Sequence, residues 1–340
     1  MTSLMTRSNA AFDVVKRSID EEKIPGAVLL TGDKSGICLC EAYGYAQLIP
    51  EKRPVHTGTL FDIASLSKLT GPWPGIIRLL SSGKISLEST LGELLPGRPI
   101  DEDTAKATVF HLLTHTAGLH PFMNTHGTTR EERVDSLLRL PPVYPLGKQV
   151  VYSDLSFIFL GEILAAQMGK PLDECASAFW HEAGMTHTFY NPPQDLEFAA
   201  TEIRPGKTLP VCGSVHDERS EQLGGVAGHA GVFSTAEDLG RFCRDIVIPD
   251  ESTLLDHDWL KRSYSNQTSD LGEDRCLGWI AYREQEGGNV VGHTGFTGTS
   301  IRMDTRSGEY GILLTNRVHP TRANENLGPI RAEVYGILGL

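Results

Sequence analysis

Apolar runs bounded by turn residues lie near both ends of the chain, and between the ends the apolar positions recur every three or four residues. Residues 27–46, AVLLTGDKSGICLCEAYGYA, carry two apolar runs around Gly32, Asp33 and Gly36, which predicts a β-hairpin. Residues 289–303, NVVGHTGFTGTSIRM, and 309–316, EYGILLTN, predict further strands, broken at Arg306-Ser307-Gly308. The first residues form an amphipathic helix with Phe12, Val15 and Ile19 on one face, ended by Pro25 and Gly26, and a last helix spans about 323–338. Between these ends IIRLLSSGK, the stretch ahead of HLLTH, EERVDSLLRL, SFIFLGEILAAQMG and AEDLGRFCRDIV all show helical spacing. Strands at both ends and helices in the middle predict an α+β fold. Its antiparallel β-sheet is flanked by helices from the two ends, which must meet to complete it. The chain reads as a single domain over 1–340, with an α/β body from 1–80 plus 216–340 and a mostly helical subdomain at about 80–215.

Composition narrows the partners. The 340 residues are 22% charged and 40% hydrophobic, with a formal net charge of -12. That balance argues against nucleic acid or an anionic membrane, both of which need a basic surface. No run approaches the roughly 20 apolar residues of a membrane helix. The N-terminus shows no continuous apolar stretch of a signal peptide, which predicts a cytoplasmic protein. Six cysteines are scattered without a CxxC, and read as reduced, packed thiols, with structural disulfides or metal ligation as alternatives. Cys38 and Cys40 alternate on a strand and should share one face.

Three short elements carry candidate chemistry. Ser65 and Lys68, in LFDIASLSKLTG, stand three apart, so a helix places hydroxyl and amine side by side. A desolvated lysine can take the serine proton, and a helix start aims free N–H groups at developing negative charge. A helix cap beside a solvated lysine gives the same pattern, and Ser67 is a rival nucleophile. Tyr152-Ser153-Asp154 offers a phenol for proton relay and a carboxylate to orient Lys68 or a substrate amide; the plainer reading is a packed tyrosine and an Asp helix cap. His293-Thr294-Gly295 suits the edge of a substrate cleft, where glycine admits a close backbone approach, or simply a turn.

Taken in order, these elements resemble the S-x-x-K, S-D-N-type and K-T-G motifs of the serine β-lactamase and penicillin-binding-protein superfamily. The likeness is to its class C-like branch, where the middle element is Tyr-x-Asn. It extends through GKISLESTLGELLP, HLLTHTAGL, FLGEILAAQMGKPLDE, EAGMTHTFYNP and GGVAGHAGVFSTAEDLGRF, covering nearly the whole chain. The resemblance implies a β-lactamase/transpeptidase-like fold and a serine hydrolase working through an acyl-enzyme. Ser65 would be acylated and Lys68 would be its base. Tyr152 would relay protons to the leaving group and from the deacylating water. The N–H groups of Ser65 and Phe296 would hold the oxyanion, and His293, Thr294 and Gly295 would line the wall facing the substrate. The substrate would be a small ester, amide or β-lactam, and no metal or organic cofactor is required. A silent binding or scaffold protein of the same fold is the alternative.

Three departures bear on this. His293 replaces the family's lysine; being largely neutral at pH 7, it weakens recognition of a substrate carboxylate. Asp154 replaces the family's asparagine and adds a negative charge that can keep Lys68 protonated. Pro72 and Pro74 follow Lys68 where the helix should continue, predicting a kink or a restart. Other signals point elsewhere less strongly. His111 and His115 have zinc-ligand spacing but lack the glutamate of HExxH, and read as a helix end. His216, Asp217 and His229 read as hydrogen-bonded loop residues, with a site wall or a metal site as alternatives. The glycines at 224, 225, 228 and 231 lack the Gly-Lys-Ser/Thr of a phosphate loop and predict tight turns.

Overall fold

The computed structural model describes residues 3–285 and 288–340. Helix α1 (Leu4–Asp20) precedes the predicted hairpin of β1 (Gly26–Asp33) and β2 (Gly36–Gln47). Short strands β3 (Arg53–Pro54) and β4 (Phe61–Asp62) lead to α2 (Ser67–Thr70) and α3 (Pro72–Ser81). Helices α4 (Leu91–Leu94), α5 (Val109–Leu113), α6 (Arg130–Leu138), α7 (Asp154–Met168) and α8 (Leu172–Glu182) fill the middle. Then come β5 (Phe189–Tyr190), α9 (Glu218–Gln222), β6 (Val232–Ser234), α10 (Ala236–Ile246) and α11 (His257–Ser263). Strands β7 (Ile280–Gln285), β8 (Gly288–Thr294), β9 (Ser300–Asp304) and β10 (Glu309–Thr315) and helix α12 (Leu327–Leu338) complete the chain.

The main sheet has seven antiparallel strands in the order β3-β2-β1-β10-β9-β8-β7. The first long strand thus pairs with the last, Leu29 opposite Leu313, and the two ends of the chain meet as the pattern requires. Side chains on β1 alternate between two cores. Ala27 and Leu29 pack with Val15 of α1 and Val334 of α12, whereas Val28 and Leu30 join the larger core with Leu239 of α10. That larger core runs on through α3, α5 and α7 without a break. Helix α7 buries Phe157, Phe159, Leu160 and Ile163 together, so it is apolar nearly all round, as a central helix must be.

Three local expectations are corrected. Helix α1 stops at Asp20, before Pro25: Glu22 turns left-handed (φ 56°) and Ile24 drops into the core between α1 and α12. Pro25 instead lends its carbonyl to Tyr45 N–H at 2.9 Å, where the chain enters β1. Helix α12 begins at Leu327, not near 323. Cys38 and Cys40 do not share a face. A bulge opposite Thr31/Gly32 leaves Cys38 as the extra residue, so it lies beside Ser8 of α1 while Cys40 packs against the α10 core.

Candidate active site

A second, small sheet in the order β4-β6-β5 aims the Ser65 segment. Past β4, Ile63 N–H still bonds Val232 O of β6 at 3.0 Å, and the chain then tightens into a 3₁₀ turn, Ala64–Leu66. Ala64 sits at φ 46°, a strained conformation for a residue with a Cβ. Buried Asp62 holds it there, accepting Ala64 N–H at 2.8 Å and His216 N–H at 2.7 Å. Ser65 is therefore presented on a 3₁₀ turn and Lys68 on the short α-turn after it. Ser67 is buried, and its hydroxyl accepts Val232 N–H at 3.0 Å, which gives it a structural task. The predicted restart occurs at Gly71, with Pro72 opening α3. The Thr70 carbonyl, which Pro74 cannot satisfy, accepts the indole N–H of Trp180 at 2.8 Å.

Ser65 Oγ lies 2.8 Å from Tyr152 Oη and 3.2 Å from Lys68 Nζ. Lys68 is fully buried and donates to Asp154 Oδ1 at 2.8 Å and to the carbonyl of His229 at 3.2 Å. Burial works to lower its pKa, but the Asp154 charge and Tyr152 outweigh it and hold the ammonium above its ordinary value. Burial likewise works to raise Asp154, but Lys68, His229 and Arg219 hold the carboxylate below its ordinary value. The cap of α7 is Ser153, not Asp154: its hydroxyl accepts Leu155 N–H at 3.2 Å. Asp154 is thereby free for Lys68 and, through Oδ2, for the Arg219 guanidinium. Of the two tasks open to Asp154, orienting Lys68 is the one the geometry meets.

Asp217 caps α9 and bonds His229 Nε2 at 2.8 Å, with Arg219 Nη2 3.7 Å away. Despite burial, these partners hold the Asp217 carboxyl well below the usual range. The donor atoms of Asp154, Asp217 and His229 lie within 4.8 Å of one another, a spacing a metal could use. Lys68 and Arg219 already supply positive charge to this cluster. His111 and His115 do not pair as ligands. His111 Nδ1 lies 2.8 Å from Thr108 Oγ1 in a capping box, whereas His115 lies beyond the end of α5 in a left-handed turn.

The third element divides. His293 is buried behind the Tyr152 ring, 6.1 Å between centroids, with Nδ1 2.9 Å from Thr294 O. Burial, with Arg275 and Lys68 nearby, pushes its pKa down to about 3, so it is neutral, and it is not among the residues lining the Ser65 cavity. Thr294 and Gly295 border an adjoining depression with Arg317 and Arg331, which shares Phe296 with the Ser65 cavity. A Cβ on Gly295 would come 2.5 Å from Ile63 O and 2.2 Å from Thr299 Oγ1. The glycine thus admits the Ser65 segment, not a substrate backbone. Gly295→Ala should cost about 1–3 kcal/mol by overpacking, read as a lower denaturation midpoint; an unchanged midpoint would refute this role. Among the described residues, neither Ser65 N–H nor Phe296 N–H is hydrogen-bonded. Arg317 fixes the Phe296 peptide through its carbonyl, at 3.0 and 2.7 Å.

The cavity over Ser65 measures about 250 Å³ and is lined by Tyr152, Asp154, Arg219, His229, Phe122 and Phe296, among others. Sequence reasoning did not single out Phe122, Arg219, His115 as a site residue, or Arg275. His115 packs against Tyr152, 4.6 Å between centroids with the rings tilted by 39°, and Arg275 lies 5.4 Å from the same ring. His115 lies in the HLLTHTAGL stretch, which was a usable signal, whereas Arg275 has no motif around it. Thr297 and Thr299 were also missed; their hydroxyls bond Asp62 O at 2.7 Å and Ile63 O at 3.0 Å, tying β8–β9 to the Ser65 turn.

With this geometry, comparison with known proteins is decisive for the class: residues 11–335 match the beta-lactamase family model, and the chain belongs to that family. It is a serine hydrolase of that family. A Bacillus subtilis (strain 168) protein named N-acetylmuramyl-L-alanine amidase is 30% identical over 345 aligned positions, 87% of this chain and 78% of that protein. Two solved structures share the fold at TM-scores of 0.79 and 0.78. They are EstCE1, described as a hydrolase with promiscuous acyltransferase activity (20% identical, 98% and 99% of the chains covered), and a beta-lactamase/D-alanine carboxypeptidase from Pseudomonas syringae (21% identical, 98% and 99%). Among the described residues, no helix is long and apolar enough to cross a membrane.

Proposed function

We propose that this hydrolase cleaves the amide or ester bond of a small substrate through an acyl-enzyme on Ser65. The observation that carries the reading is the placement of Ser65 Oγ between Tyr152 Oη at 2.8 Å and Lys68 Nζ at 3.2 Å. In the active protonation state the Lys68–Tyr152 pair takes the Ser65 proton as Oγ bonds to the substrate carbonyl carbon. The oxyanion is held by the N–H groups of Ser65 and Phe296. Collapse breaks the bond to the leaving group, which receives its proton through Tyr152, and water then releases the acid by the reverse path. The amide of an N-acetylmuramyl-L-alanine unit is the substrate that the Bacillus relative's name supports. Neutral, buried His293 weighs against a carboxylate-directed preference, which places β-lactams second.

Intact mass after incubation with a fluorophosphonate tests the assignment. One adduct on the wild type and none on Ser65→Ala is expected. An adduct on both, or on neither, would remove Ser65 from this role.

A further inference from the structure

The two rings at the mouth of the Ser65 cavity are among the most exposed large apolar side chains of the molecule, Phe122 at 61% and Phe296 at 48%. Exposed rings are common, but these two are fixed from behind. The Arg219 guanidinium lies 4.2 Å from the Phe122 centroid, and Arg219 is itself buried and tied to Asp154 and Asp217. The Arg317 guanidinium lies 4.7 Å from the Phe296 centroid while gripping the Phe296 carbonyl, and His216 stacks on the same ring at 5.7 Å and 23°. These contacts orient both rings while leaving them the exposed area given above. A preset apolar face loses little freedom when a ligand lands on it.

The charges in the cavity wall are already matched. Asp154 has Lys68 and Arg219; Asp217 has His229 and Arg219; Glu218 pairs with Arg322 at 2.5 Å, and Arg322 also holds Glu202. An incoming carboxylate would find every cation of the lining already paired, with Arg317 behind the Phe296 ring the one nearby without an ion pair among the described residues, and would have to desolvate beside Asp154, Asp217 and Glu218. Phe296 also supplies the second oxyanion N–H, so whatever rests on its ring belongs to the substrate near the carbonyl under attack.

We propose that the cavity over Ser65 selects an uncharged acyl group bearing a ring with an apolar face, aryl or pyranose, gripped by Phe122 and Phe296. This rests on the reading of Ser65 as the acylated residue. Such a ring offers C–H or π surface to both phenyl groups and brings no charge into a wall that has none to spare.

The test uses four acyl groups on one small leaving group, as S-methyl thioesters followed by thiol release: acetyl, phenylacetyl, N-acetylmuramoyl and succinyl. Wild type should favour at least one ring-bearing neutral acyl over acetyl by about tenfold in kcat/KM, with succinyl poorest. Phe122→Ala and Phe296→Ala should each reduce the ring-to-acetyl ratio by about tenfold, the scale of one lost aromatic contact. Both side chains are exposed, and Phe296→Ala keeps the backbone N–H, so the ratio can be read on folded protein. The arm whose ratio the variants reduce tells aryl from pyranose. A ratio near one in wild type, a ratio the variants leave in place, or a preference for succinyl would overturn the proposal. Absence of Ser65-dependent turnover with every acyl group would instead overturn the acyl-enzyme reading beneath it, and the proposal with it.

Discussion

Lys68→Met is expected to lower kcat/KM about a thousandfold, within the range general acid–base groups supply. The methionine fills the same unbranched slot, against the Tyr152 ring 4.9 Å and the Phe157 ring 5.9 Å from Nζ, so packing is conserved. What disappears is the only nitrogen within reach of Ser65 Oγ among its side-chain partners in the described structure, and with it half of the pair proposed to carry the proton. Removing one member of a buried ion pair usually costs about 3–5 kcal/mol because the other charge is stranded. Here Asp154 keeps Arg219 as a partner, so the stability loss should fall below about 3 kcal/mol, and the rate can be measured on folded enzyme. Hydrolysis of a small acyl ester, with a denaturation curve alongside, checks both halves. A rate within tenfold of wild type would show that Tyr152 and solvent suffice, and would take Lys68 out of proton transfer.

Much of this arrangement was legible in the chain itself. Apolar runs bounded by turn residues located the hairpin and the C-terminal strands, and helical spacing located the middle helices, because burial leaves a trace in the order of apolar positions. The SxxK spacing brought Ser65 and Lys68 together even though Ser65 lies on a 3₁₀ turn, since three residues close a turn in either helix type. Long-range pairings left weaker traces. Arg219 meets Asp154 from 65 residues away, and Thr297 meets Asp62 from 235 residues away; spacing along the chain cannot encode such contacts. Gly295 was readable as a glycine of necessity, but not what crowds it, because Ile63 O comes from a different strand region. The Cys38 face was misread because one extra residue in β2 reverses the alternation, and a bulge has no composition cue here. His216, Asp217 and His229 looked like loop residues, and they do lie outside the strands and largely outside the helices. Their place in the cavity wall comes from the fold that brings Arg219 of α9 to Asp154 at the start of α7.

Asp154→Asn, which restores the residue the wider family carries, is expected to move the acid limb of kcat/KM toward lower pH. The sign follows from the two opposing influences on Lys68. Burial favours its neutral form, and the negative charge of Asp154, 2.8 Å away, opposes burial and wins. The variant removes that charge but keeps an amide oxygen able to accept from Nζ, so burial is opposed by Tyr152, the His229 carbonyl and the weaker hydrogen bond, without a full negative charge at 2.8 Å. Lys68 then gives up its proton at lower pH, and the form able to take the Ser65 proton is populated earlier in the titration. Stability sets where this can be read. Asp154 is held below its ordinary 3.8, so its contribution is present above that value and lost as pH falls through the lower folded-state value. Lys68 is held above its ordinary 10.5, so its contribution is present below that value and lost as pH rises through the higher folded-state value. Between those limits both contributions persist in wild type, and pH–rate profiles of the two proteins compare proton transfer, not unfolding. A limb that stays in place while the rate falls at every pH would mean that Asp154 serves to anchor Arg219 and the Phe122 ring, and that the charge on Lys68 is not what limits attack by Ser65.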